Sequence, residues 1–110
     1  MTFKFYHNPN CSKSRHCLKI LEEKNTKFKI ILYMKTRLTY DEIEEIINKL
    51  LGDLTHIIRN SNKVKINCKE KNHELIKFIL ENPNQLQRPI FFNGKNYIIC
   101  RPPEKVLEFL

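Results

Sequence analysis

The sequence predicts an α/β fold built on a mixed four-stranded sheet with a helical insertion. Three observations carry this. A strand, a helix and a second strand follow one another over the first third of the chain. A Thr39-x-x-Glu42 capping box then opens a stretch of helices. Two strand-like runs flanking Asn93-Gly94 precede a Pro-initiated helix at the end. A β-α-β unit followed by β-β-α is the thioredoxin-like layout, with the helices of about 39–82 inserted between the halves.

Each element has its own signature. Residues 2–6 place Phe3 and Phe5 on one face, the period of a strand, and His7-Asn8-Pro9-Asn10 is turn chemistry. A helix is expected from 12 or 13 to about 24, with Leu18 and Leu21 spaced i, i+3 and Cys17 beside them. The run Ile30-Ile31-Leu32 within 27–33 predicts a central strand covered on both faces. Ile43, Ile46, Ile47 and Leu50 repeat at helical spacing up to Gly52. A short helix over 54–59 and another from about 70 to 81 follow, and Asn82-Pro83 stops the second. Strands are expected over 89–92 and 96–100, and a last helix from 103 or 104 to 110.

Composition bounds the rest. The 110 residues are 41% hydrophobic and 29% charged, which suits one folded domain over 1–110. No apolar run approaches the ~20 residues that span a bilayer. The N-terminus alternates instead of presenting a signal peptide. A soluble, cytoplasmic monomer without membrane contact is expected. The net charge of +8 points to anionic partners. Lysines outnumber arginines 15 to 5, so an arginine is the more informative residue. Lys63, Lys65, Lys69 and Lys71 read as a solvated basic loop, because no aromatic is interleaved for base stacking. Nucleic-acid binding is therefore not expected. The four cysteines form neither a C-x-x-C pair nor a zinc-ligand set, so no metal is expected. Cys17 reads as a buried helix thiol, Cys68 as an exposed loop thiol and Cys100 as structural.

Cys11 is the leading candidate for chemistry. It follows a strand and turn and immediately precedes a helix, where the dipole and free N–H groups stabilise a thiolate. His7, Lys13 and Arg15 add positive charge nearby, and Ser12 and Ser14 offer hydroxyls to an oxyanion. Ser14 stands where a disulfide-exchange motif would carry its second Cys. Cys17 stands where a C-x5-R phosphatase loop would need Arg. Arginine supplies the second signal, because guanidinium offers oxyanions a rigid bidentate fork. Arg88 and Arg101 lie at the two ends of one hairpin that meet, and Arg59 would arrive from the insertion. Pro89 is a candidate for a cis peptide bond.

The segment Tyr6-His7-Asn8-Pro9-Asn10-Cys11-Ser12-Lys13-Ser14-Arg15 resembles the active-site segment of the ArsC family of glutaredoxin-dependent arsenate reductases. Arg88-Pro89-Ile90 and Cys100-Arg101-Pro102-Pro103-Glu104 resemble its later arginine motifs, and the segment 55–60 resembles the one that supplies the remaining arginine. The likeness covers essentially the whole chain and is greatest to the shorter ArsC-like proteins. It implies a thioredoxin-like fold and reduction of arsenate to arsenite, with glutathione as co-substrate, glutaredoxin as partner and no bound cofactor. It implies Cys11 as nucleophile, with His7 helping to keep its thiolate ionised. It also implies Arg59, Arg88 and Arg101 as binders of the oxyanion. Two alternatives stand beside it. One is a thiol oxidoreductase of the same fold with a non-arsenate substrate. The other is a Spx-like regulator that binds RNA polymerase, against which Ser14 argues, since such regulators usually carry a C-x-x-C switch there.

Overall fold

A computed structural model of the chain describes residues 2–64 and 72–110. The expectations for Cys68, Lys65, Lys69 and Lys71, and for a helix start near 70, lie outside the described residues. Four strands, β1 (Lys4–Tyr6), β2 (Lys29–Ile31), β3 (Ile90–Phe92) and β4 (Tyr97–Ile99), form one sheet in the order β2-β1-β3-β4. β1 pairs with β2 in parallel, and the β1–β3 and β3–β4 pairs are antiparallel. The sheet is mixed because the second half returns as a hairpin, whose turn places Gly94 at φ +95°. There the Asn93 side chain accepts from the amides of Lys95 and Asn96. This is the thioredoxin-like arrangement expected from the element order.

Alternation along the strands divides the core between the two faces. Phe5, Phe91 and Ile98 point to one face. There they pack with Cys17 and Leu21 of α1 (Ser12–Glu23), with Cys100, and with Val106 of a C-terminal 3-10 helix (Pro103–Phe109). Tyr6, Ile90 and Tyr97 point to the other face. They meet Ile43 and Ile46 of α2 (Tyr40–Asn48) and Leu75, Ile76 and Ile79 of α3 (His73–Glu81). Thr39 and Glu42 close both halves of the capping box that starts α2.

Three expectations are corrected. The run at 30–32 is not a central strand: β2 is three residues long and lies at the sheet edge, with Ile30 44% exposed. β1 occupies an interior position instead, because Phe5 and Tyr6 fill both faces. α2 does not run to Gly52 but ends at Asn48. The chain then turns extended, with Leu50 bridging Tyr97 and the Leu51 amide donating to the Tyr97 carbonyl. Those sheet-edge bonds replace the last helical ones, and Gly52 sits beyond them at φ +101°. The helix over 54–59 is a 3-10 turn from Leu54 to Ile57, cut short because Ile58 bridges Leu86. No helix among the described residues is long and apolar enough to cross a membrane.

Candidate active site

The strand directions bring four segments to one end of the sheet. β1 and β2 both finish there. β3 begins there, with Ile90 opposite Tyr6, and β4 ends opposite it, with Ile99 against Ile90. The loops carrying His7–Cys11, Tyr33, Arg88 and Arg101 therefore converge.

The loop before α1 is a closed turn. The Cys11 amide donates to the Asn8 carbonyl at 3.0 Å, and the Asn10 amide donates to the Asn8 side chain at 3.0 Å. Cys11 then occupies the N-cap of α1, where a Ser or Asp oxygen would ordinarily accept from the first free amides. Here a sulfur stands at that position and makes no capping hydrogen bond, although the nearby amides still favour its anion. Burial alone would push the Cys11 pKa up. The Ser14 amide, the Arg88 guanidinium and the Lys13 amide outweigh it, and the thiol lies below its ordinary value. Arg101 Nη2 also donates toward Cys11 Sγ at 3.9 Å, a long contact that leaves Arg88 the stronger influence on the sulfur. The half-buried Cys11 thus presents a partly accessible sulfur in a cationic setting that favours its ionised form.

The two arginines are held by backbone. Arg88 Nη1 donates to the Asn84 carbonyl at 2.7 Å, and Arg101 Nε donates to the Arg88 carbonyl at 2.8 Å. The peptide bonds Arg88–Pro89 and Arg101–Pro102 are both cis. Arg59 is exposed at the rim. Its amide donates to the Gln85 carbonyl at 2.7 Å, and its charge reaches the Tyr33 phenol.

The remaining candidates divide by orientation. Ser12 is exposed beside the sulfur. Arg15 turns back, with Nη1 donating to the Pro9 carbonyl at 2.8 Å, and so braces the loop. Ser14 is fully buried and its hydroxyl faces inward: Oγ lies 2.6 Å from His7 Nδ1 and accepts from the Asn8 amide at 3.0 Å. The backbone of Ser14, not its hydroxyl, serves the sulfur. His7 does not supply the positive charge that its proximity in sequence suggested. Burial first, and then the Arg15 charge, push its pKa down, so the ring is neutral at pH 7. Cys17 and Cys100 are free and fully buried in the core.

One residue escaped the sequence reading. Tyr33 is 1% exposed and stands just past β2, at the same end of the sheet as Cys11. Burial raises its pKa, against the opposing charge of Arg88. Its place at the close of a strand parallel to β1 was the available signal.

Comparison with known proteins agrees with this architecture. The arsenate reductase of Haemophilus influenzae is 37% identical over the full length of both chains. The Escherichia coli K12 protein YfgD, which is uncharacterized, is 32% identical over 97% of this chain and 95% of its own. The solved arsenate reductase from Vibrio cholerae superimposes with a TM-score of 0.83 at 30% identity, covering 100% of this chain and 98% of that one. The ArsC family model matches residues 6–109, and the chain belongs to the ArsC family.

Proposed function

We propose that this protein is a cytoplasmic arsenate reductase that uses the Cys11 thiolate as nucleophile and draws its electrons from glutathione and glutaredoxin. The observation that carries the reading is the setting of the Cys11 sulfur. It stands at the N-terminus of α1, where the amides of Ser14 and Lys13 and the guanidinium of Arg88 favour its anion and Arg101 Nη2 lies 3.9 Å away. That setting suits a nucleophile meeting an oxyanion. The thiolate forms an S–As bond to arsenic(V) as one arsenate As–O bond breaks, that oxygen leaving as water with protons from arsenate and solvent, while Arg59, Arg88 and Arg101 balance the anionic charge. Glutathione then adds to this adduct as its thiolate, its proton released to solvent: it bonds to the Cys11 sulfur as a mixed disulfide while the S–As bond breaks. The electron pair passes to arsenic, which leaves as arsenite. Glutaredoxin, by thiol–disulfide exchange, returns Cys11 to the thiolate. Within this reading His7 acts as a neutral group that orients Ser14. The names of the relatives from Haemophilus influenzae and Vibrio cholerae support arsenate as substrate.

The test is arsenate-dependent NADPH oxidation with glutathione, glutaredoxin and glutathione reductase, run for wild type and Cys11→Ser. Turnover is expected in the first and not in the second, because Ser at its ordinary pKa is a poor nucleophile. Equal activity in both would sink the proposal. Arg88→Lys should raise KM for arsenate by roughly 10- to 150-fold, the loss of a charge-assisted hydrogen bond.

A further inference from the structure

Three buried polar atoms among the described residues have no hydrogen-bond partner: Tyr33 Oη, Gln85 Oε1 and Arg88 Nε. Buried polar groups are nearly always paired, so each exception asks for a reason. These three share one neighbourhood. Gln85 receives the Arg59 amide on its carbonyl, Arg88 acts on the Cys11 sulfur, and Tyr33 stands at the sheet end where Cys11 and Arg88 meet. The Asn8 side chain lies close enough to act on the phenol, but no hydrogen bond of ordinary length and angle reaches the Tyr33 hydroxyl.

Apolar packing does not account for that hydroxyl. The ring of Tyr33 belongs to the core beneath α2 and α3, where a Phe ring would fill the same space. The oxygen adds only an unmet hydrogen bond to the folded chain. A group kept at the expense of the fold beside a cationic site fits a role in binding.

We propose that the Tyr33 hydroxyl is a further binding group for the oxyanion, donating a hydrogen bond to an oxygen of arsenate held at Cys11 by Arg88. This rests on the oxyanion reading given above. A phenol is a neutral donor at neutral pH, so it adds a directed hydrogen bond without adding charge. Shielded from bulk water, that bond is stronger than one formed at the surface. It also selects for ligands with an acceptor oxygen on that side, which a halide of similar charge lacks.

Tyr33→Phe removes the oxygen alone. Wild type and variant are compared by the protection that arsenate gives Cys11 against iodoacetamide, read on the Cys11 peptide by mass spectrometry. Thermal unfolding is measured alongside, without arsenate. The variant should need roughly 10- to 150-fold more arsenate for equal protection. Its Tm should be equal to or above that of wild type, because an unsatisfied buried group has gone. Equal protection in the two proteins would overturn the assignment of Tyr33 and leave the arsenate reading standing. Weaker protection together with a lowered Tm would also overturn it, since the hydroxyl would then serve the fold. Reactive wild-type Cys11 that arsenate does not protect would overturn both readings together.

Discussion

A single buried hydroxyl, that of Ser14, ties the loop ahead of Cys11 to the helix behind it. Its oxygen serves both the Asn8 amide and the His7 ring. Ser14→Ala leaves both partners buried and unmet, so the stability measured by urea unfolding should fall by about 1–3 kcal/mol. The neighbouring His7 makes stability depend on pH. Its folded pKa lies below the unfolded value, so the unfolded chain takes up a proton first as pH falls. The contribution is complete above about pH 6.5, the unfolded value. It is lost as pH descends toward the folded pKa. Thermal unfolding across pH 5–8 should show this fall, and His7→Gln should flatten it. Cys11 has the same sign in a higher window, because its thiolate is favoured only in the folded chain. Its alkylation rate against pH should therefore give a midpoint below the ordinary thiol value. At this scale the positions of Cys11, Arg88 and Arg101 were legible because helix starts and hairpin ends are local patterns. The inward turn of Ser14, the neutrality of His7 and the presence of Tyr33 were not, since each depends on burial created by distant segments.

At the scale of elements, local chemistry predicted starts better than ends. The capping box of Thr39 and Glu42 begins α2 where the sequence placed it. Thr39→Ala removes the acceptor for the Glu42 amide and should lower stability by about 1 kcal/mol, measured by thermal or urea unfolding. The end of α2 was misread because apolar spacing continues through Leu50. The choice between another helical turn and a bridge to Tyr97 is tertiary. β2 was misread for a related reason. A run of Ile and Leu reports β propensity but not the number of neighbouring strands, and the topology assigns β2 an edge. The Asn93-Gly94 turn was legible because a positive φ at Gly94 is a local demand.

Across the whole molecule, a thin sheet separates two cores, and one end of it gathers the chemistry. The sequence-derived order of elements was sufficient to predict that gathering, since it places the ends of β1 and β4 and the start of β3 together. The net charge of +8 acts at this scale. Under the proposed function it raises the local concentration of the anionic substrate, an influence that salt screens over about 8–10 Å at physiological strength. The kcat/KM for arsenate should fall as ionic strength rises from 10 mM toward physiological values. The hydrogen bonds inside the loop, being short-ranged, should leave kcat nearly level.

The bond from Arg101 Nε to the Arg88 carbonyl makes the two arginines unequal. Arg88→Lys keeps its own carbonyl, so Arg101 remains anchored. Arg101→Lys removes the donor that steadies the Arg88 backbone, and so disturbs both cations at once. The single substitutions will then not sum in the double variant: part of the damage from Arg101→Lys is already damage to Arg88. A thermodynamic cycle on the pair measures this coupling directly, and a sub-additive loss is its signature.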